Sequence, residues 1–346
     1  MFMTGKQLDN EFYEKKINDV IEKNPKWIYL EGFKNWAISK RSYRTIYNYL
    51  LYIVAFLNYV GKDVTEITLD DYTSYANGQK KLSSSNQIAK YSAIKKFSQY
   101  LTASRKIDYD FMTGAERPKF EETQETKKKR ENGYLTIKET HQVLRNIEIG
   151  VGNERALWLQ NEYRSRDMSI VMLFLTTGIR ITALRNMDIS DIDFENSCIR
   201  VTDKGSKANI HGIPEETKIV LQKWLIKREE ILTKAGKTNE QALFISNEKR
   251  RISDTGVRSI VGKYTKSITG KNITPHKLRA TYGTMLYDRT HDIELVRQQM
   301  NHESVVTTQK YIRGNEEANR KRAAEVMGAV ISCGKRRETG SLFEED

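Results

Sequence analysis

The chain has 346 residues, room for two ordinary domains with cores of their own. Its apolar and charged fractions (38% and 30%) exclude a disordered or fibrous chain, and no apolar run is long enough to span a membrane. Lys and Arg outnumber Asp and Glu by 58 to 45, a net charge of +13 that points to a polyanionic partner, most often nucleic acid. The two cysteines, Cys198 and Cys333, lie far apart and make no metal or redox spacing. The first residues, "MFMTGKQLDNEFYEKK", lack the apolar core of a signal peptide, so a cytoplasmic protein is expected.

In chain order, the first ~110 residues read as helices. Over 26–38, Ile28, Leu30, Phe33, Trp36 and Ala37 fall near one face. Over 42–60, Ile46, Leu50, Ile53, Leu57 and Val60 recur every three or four residues. After the turn "GKDVTEIT", Thr68 caps a short helix with Asp71 in its first turn. Over 85–101, Ile88, Tyr91, Ile94, Phe97, Tyr100 and Leu101 form a further stripe. The opposite faces carry Lys40, Arg41, Arg44, Lys90, Lys95 and Lys96, candidates for gripping phosphates. The polar run "RPKFEETQETKKKREN" reads as a linker. A second domain opens with a capping box at Thr136 and Glu139, then continues through "MSIVMLFLTTGIR". Next, "SCIRVTDKGSKANIHGIP" reads as a β-hairpin turning near Gly205, with Lys207 a further candidate DNA contact. Helices then resume, one with Thr274 as cap and Pro275 at its first position, another capped by Ser304. The stretch 316–330 puts Ala323, Val326, Met327 and Val330 on one face, and a mobile tail follows. The expected domains are therefore 12–112, 134–330 after a linker at 113–133, and a tail at 331–346.

Six polar residues stand out in order: Arg180, Lys204, His276, Arg279, His302 and Tyr311. His276 and Arg279 lie three apart after a helix cap and so share a face. The segments "TTGIRITALRNMDISDID", "VTDKGSKANIHGIP", "TPHKLRATYGT" and "QQMNHESVVTTQKYI" resemble, in order, the boxes of the tyrosine recombinases of the phage-integrase and Xer type. The resemblance covers essentially 134–313. "SYRTIYNYLLYIVAFLNYV" and "TEITLDDY" resemble that family's core-binding domain more weakly. It implies a mainly α protein: a helical, SAM-like core-binding domain, then an α-rich catalytic domain with a small antiparallel β-sheet or hairpin. It also implies Tyr311 as nucleophile, Lys204 as catalytic lysine, and Arg180, His276, Arg279 and His302 as the remaining catalytic groups.

These residue types suit cleavage of DNA by transesterification. A phenol supplies an oxygen nucleophile and conserves the bond energy as a phosphotyrosine, but its free pKa of ~10 means the site must help it ionise. Two guanidinium forks match the charge that develops on the non-bridging oxygens. Histidines donate hydrogen bonds or move protons, and the hairpin lysine can protonate the leaving oxygen. No cofactor is called for, and His276 and His302 lack the spacing of a metal site.

Three positions depart from the family's usual pattern. Ala183 stands where an acid is common, with Asp188 a substitute acid; Ala280 stands in "RAT"; and Asn301 stands where glycine usually precedes the histidine. The expected function is site-specific strand exchange through a 3′-phosphotyrosyl bond and a Holliday junction, by a tetramer on double-stranded DNA at the nucleoid. A mobile-element integrase is favoured over a dimer resolvase, as a two-domain design without an arm-binding domain. The apolar face of 316–330 is a candidate for docking into a neighbouring protomer. Accessory directionality proteins stay open as further partners. Two rival functions keep the same residues: a type IB topoisomerase-like enzyme that relaxes supercoils alone, and a catalytically idle DNA-binding protein on this fold.

Overall fold

In this computed structural model the described residues are 5–121, 133–202, 208–268 and 273–302, with positions 308 and 324. Lys204, Lys207, Tyr311, the Ser304 cap and the stripe over 316–330 lie outside them. The chain divides into two units, Met1–Arg130 and Glu131–Asp346. Among the described residues, no helix is long and apolar enough to cross a membrane.

The first unit holds α1 (Gly5–Glu22), α2 (Leu30–Ile38), α3 (Tyr43–Val60), α4 (Leu69–Gly78) and α5 (Ser84–Ala103). Ser42, Thr68 and Ser83 start α3, α4 and α5, each side chain accepting a backbone N–H three residues on. Thr68 and Asp71 close the expected capping box. The period of three to four works as read: Ile46, Leu50, Ile53 and Leu57 are fully buried against Phe33 and Phe97. One expectation fails. Ile28 is 73% exposed, because α2 begins only at Leu30 and the preceding turn buries Trp27 instead. The Trp27 indole N–H donates to Asn58 Oδ1 at 2.8 Å, which satisfies its polar edge.

The second unit is also mostly helical: α6 (Ile137–Ile149), α7 (Glu154–Thr177), α8 (Ile181–Asn186), α9 (Glu215–Lys234), α10 (Asp254–Thr265), α11 (Pro275–Thr290) and α12 (Ile293–Gln299). Thr136 and Glu139 form the expected capping box, and Thr274 caps α11 with Pro275 at its start. The hairpin forms as β2 (Cys198–Thr202) and β3 (Ala208–Gly212), antiparallel, with Thr202 opposite Ala208. A short strand, β1 (Ile192–Asp193), adds to β2 and makes the sheet three-stranded, in the order β1-β2-β3. Two residues are too few for a period to show, so sequence pattern could not reveal β1.

Helix α7 is the spine of this unit, packing against α6, α9 and α11. Its Ile170, Leu173 and Phe174 are fully buried with Leu221, Trp224, Val261 and Leu278. It also carries a buried charge. Asp167, fully buried, accepts from Arg166 Nε at 2.9 Å, Lys263 Nζ at 2.9 Å and Tyr264 Oη at 2.8 Å. Burial, reinforced by the Asp167 charge, pushes the Tyr264 phenol upward, so it stays a donor. A buried carboxylate with three donors is costly to delete, because its cations are left without a counter-charge. Asp167→Ala should therefore lower unfolding stability by about 3–5 kcal/mol in denaturant titration. A loss below about 1 kcal/mol would show that the network contributes little.

Candidate active site

Arg180 and Arg279 come from segments a hundred residues apart, and backbone turns join them. Helix α7 stops at Gly178, which adopts φ +61. An added Cβ there would stand 2.4 Å from the Tyr282 ring, so both the conformation and the packing against α11 require glycine. Arg180, two residues on, is the N-cap of α8 and half-buried. Arg279, buried on α11, donates from Nη1 to the Gly178 carbonyl and from Nη2 to the Met300 carbonyl. Arg180 Nη2 donates to the Asn301 carbonyl at 3.0 Å. Carbonyl acceptors orient a guanidinium without cancelling its charge, which a site for an anionic transition state needs.

The turn after α12 thus receives both arginines. Its shape explains Asn301, whose φ of 45 lies in the left-handed region. Glycine is cheapest there and asparagine the next best tolerated, so the departure from the usual glycine keeps the backbone the turn requires. His302 follows, 7% exposed, with Nδ1 at 3.0 Å from the Thr308 hydroxyl, itself buried. His276 is exposed in the first turn of α11, three residues ahead of Arg279. The structure therefore joins Arg180, Arg279 and His302 at one turn, with His276 on the helix of Arg279.

The other departures have local reasons. Ala183 is 2% exposed within the core, where it packs with Leu184 and Ile179 as cluster members. Asp188, the suggested substitute acid, pairs with Arg251, whose Nη1 also donates to the carbonyls of Arg185 and Met187 at 3.1 Å each. Its carboxylate braces the start of the sheet. Ala280 packs with Tyr282, Leu286 and Tyr287 against Val296 and Met300, seating α12 on α11. Burial raises the Tyr282 phenol's pKa, while the nearby Arg279 charge pulls it down.

The basic candidates of the first unit separate into two groups. Lys40, Arg41 and Lys96 line one cavity of about 260 Å³ together with Phe33, Trp36 and Tyr49. Lys40 Nζ lies 4.5 Å from the Trp36 ring, and exposed Arg44 lies 5.8 Å over Tyr13. Lys90 lies outside that cavity: it is half-buried, donates to Gln79 Oε1 at 2.6 Å, and its pKa is lowered by burial. Lys95, also half-buried, donates to the Tyr91 hydroxyl at 3.1 Å.

Comparison with known proteins agrees with this architecture. The model of the phage integrase family matches residues 135–318, more than half the chain. The tyrosine recombinase XerC of Syntrophus aciditrophicus (strain SB) is 30% identical over 226 residues, covering 64% of this chain and 67% of that protein. The tyrosine recombinase XerC of Thermodesulfovibrio yellowstonii is 36% identical over 148 residues, 42% of this chain and about half (49%) of its relative. The fold is shared with the XerH site-specific recombinase solved on a palindromic difH substrate (TM-score 0.67, 18% identity, 90% of this chain and 88% of that one). A lambda integrase dimer solved on a COC′ core site also shares it (TM-score 0.61, 17% identity, 84% and 95%). A mainly helical fold with a small antiparallel sheet is what the chain shares with these solved structures. The chain belongs to the phage integrase family, the tyrosine recombinases.

Asn301 gives a direct test of the turn. Asn301→Gly should leave the melting temperature nearly unchanged, whereas Asn301→Val forces a β-branched residue into the left-handed region and should cost about 1–2 kcal/mol. Equal melting of the two variants would mean that this backbone is not held there.

Proposed function

We propose that the chain is a site-specific DNA recombinase that cuts duplex DNA through Tyr311, leaving a 3′-phosphotyrosyl bond and a free 5′-hydroxyl. The observation that carries this reading is the turn at 300–302, where the carbonyls of Met300 and Asn301 anchor Arg279 and Arg180 beside His302. The relatives, named as tyrosine recombinases, support the same reaction class.

Tyr311 Oη loses its proton to His276 or His302 and bonds to phosphorus. The bond from phosphorus to the 5′ oxygen breaks, and that oxygen takes a proton from Lys204. Arg180 and Arg279 hold the non-bridging oxygens as charge builds on them. Lys204 suits the acid's role because the ladder ends at Thr202 and Ala208, so the segment 203–207 that carries it joins β2 to β3. The reverse step, with a 5′-hydroxyl from another duplex as nucleophile, rejoins the strands. Four protomers working through a Holliday junction complete an integrase-type exchange. The core-binding and catalytic domains, read as 12–112 and 134–330, each contact the DNA. In the first, Lys40, Arg41, Arg44 and Lys96 face phosphates.

On a nicked suicide duplex carrying the recombination site, wild type should form a covalent adduct on denaturing gels, and Tyr311→Phe should form none. An adduct in the phenylalanine variant would exclude Tyr311 as nucleophile. Each phosphate contact adds about 0.9 to the slope of log affinity against log salt. The Lys40→Ala, Arg41→Ala, Lys96→Ala triple variant should therefore lower that slope by about 2–3, and Lys90→Ala should leave it unchanged. An unaltered slope in the triple variant would move the phosphate-binding face elsewhere.

A further inference from the structure

Three successive carbonyls in the turn after α12 each accept a guanidinium: Met300 from Arg279, Asn301 from Arg180, and His302 from Arg297 Nη1 at 2.9 Å. The first two arginines belong to the proposed reaction. The third does not, and no box of the sequence singled it out. Arg297 sits in the last turn of α12, where a lone arginine beside a glutamate three residues earlier looks like any surface ion pair.

Its geometry is more constrained than that. Glu294 takes both remaining arms of the fork, Oε2 from Nε at 2.8 Å and Oε1 from Nη2 at 2.6 Å. Gln298 Nε2 donates to Glu294 Oε1 at 3.0 Å, fixing the carboxylate from its other side. The pair holds the Glu294 carboxyl down to about 2, through the hydrogen bond from Arg297 first and that from Gln298 second. Ionised Glu294 therefore favours the native turn at any pH above the ordinary carboxylate range of about 4.5, and that support fades only as pH falls towards about 2. The contact with His302 also closes on itself, since His302 N–H donates back to the Arg297 carbonyl at 3.0 Å. Arg297 thus holds His302 by both backbone groups, around the left-handed Asn301. The imidazole is held in turn by its contact with Thr308, three residues before Tyr311.

We infer that Arg297 is a positioning residue of the active site: braced by Glu294, it pins the backbone of His302 and with it the carbonyls that anchor Arg180 and Arg279. The inference rests on the proposed cleavage reaction. A planar fork is needed because one side chain must meet a carboxylate in two places and a carbonyl in a third, which a lysine ammonium on its flexible stem cannot do at once. A misplacement of about 1 Å at a reacting centre is enough to cost about 10²-fold in rate.

The test is single-turnover adduct formation on the suicide duplex at saturating DNA. Arg297→Met, which keeps the apolar stem, should cleave about 10–100-fold more slowly while DNA affinity is unchanged. Arg297→Lys should recover only part of the loss. The double variant Glu294→Arg, Arg297→Glu restores an ion pair on α12 without a donor at 297; it should regain the melting temperature but not the rate. Cleavage by Arg297→Met within twofold of wild type would overturn the inference. Recovery of the rate together with the melting temperature in the swapped pair would also overturn it, since the arginine would then be merely structural. A wild type that forms no adduct on its site refutes the cleavage reading instead. Positioning is then read from the His302 ring resonances of histidine-labelled protein, which should shift in Arg297→Met and whose constancy would overturn it.

Discussion

Three adjacent backbone carbonyls, at Met300, Asn301 and His302, accept three guanidinium groups from three different segments. A carbonyl accepts without neutralising, so it can orient a guanidinium and leave its charge in place. The contrast is within the molecule. Asp167 satisfies Arg166 and Lys263 with a carboxylate deep in the core, where charge has only a structural use. Asp188 does the same for Arg251 beside the sheet. At the turn, carbonyls accept from the two arginines proposed to meet phosphate.

That arrangement depends on two left-handed residues. Gly178 ends α7 so that its carbonyl meets Arg279, and the absence of a side chain admits Tyr282. Asn301 turns the chain after α12 so that His302 and its carbonyl come round to Arg297. Between them, α11 carries Arg279 towards Gly178 and Met300 and seats α12 through Ala280 and Tyr282. Ala280 is small where it must pack, which gives a physical reason for one departure from the family's usual pattern. Ala183, buried in the core beside Leu184, gives the reason for another.

The sequence alone carried much of this, and unevenly. Caps at Thr68, Thr136 and Thr274 were legible because capping is local chemistry, a hydroxyl meeting an amide three residues on. The hairpin was legible from its β-branched residues, and the family from four ordered segments. Strand β1 was too short to have a period. Ile28 was misplaced because periodicity marks a face but not where a helix begins. Lys90 and Lys95, candidate phosphate contacts in the sequence, are half-buried with their ammonium groups over tyrosine rings, which a charge in a sequence does not reveal. Arg297 was invisible, since its third hydrogen bond goes to a backbone atom and leaves no residue-type signature. Asn301, where the family usually has glycine, occupies a glycine's conformation, which residue type alone does not show.

If the 300–302 turn and the tyrosine nine residues past His302 act on one phosphate, the covalent bond to DNA has a single address. Proteolysis of the trapped adduct, followed by mass spectrometry of the nucleotide-bearing peptide, reads that address directly. A 3′-phosphate ester on Tyr311 is the predicted result. Linkage to any other residue, or through a 5′-phosphate, would contradict it.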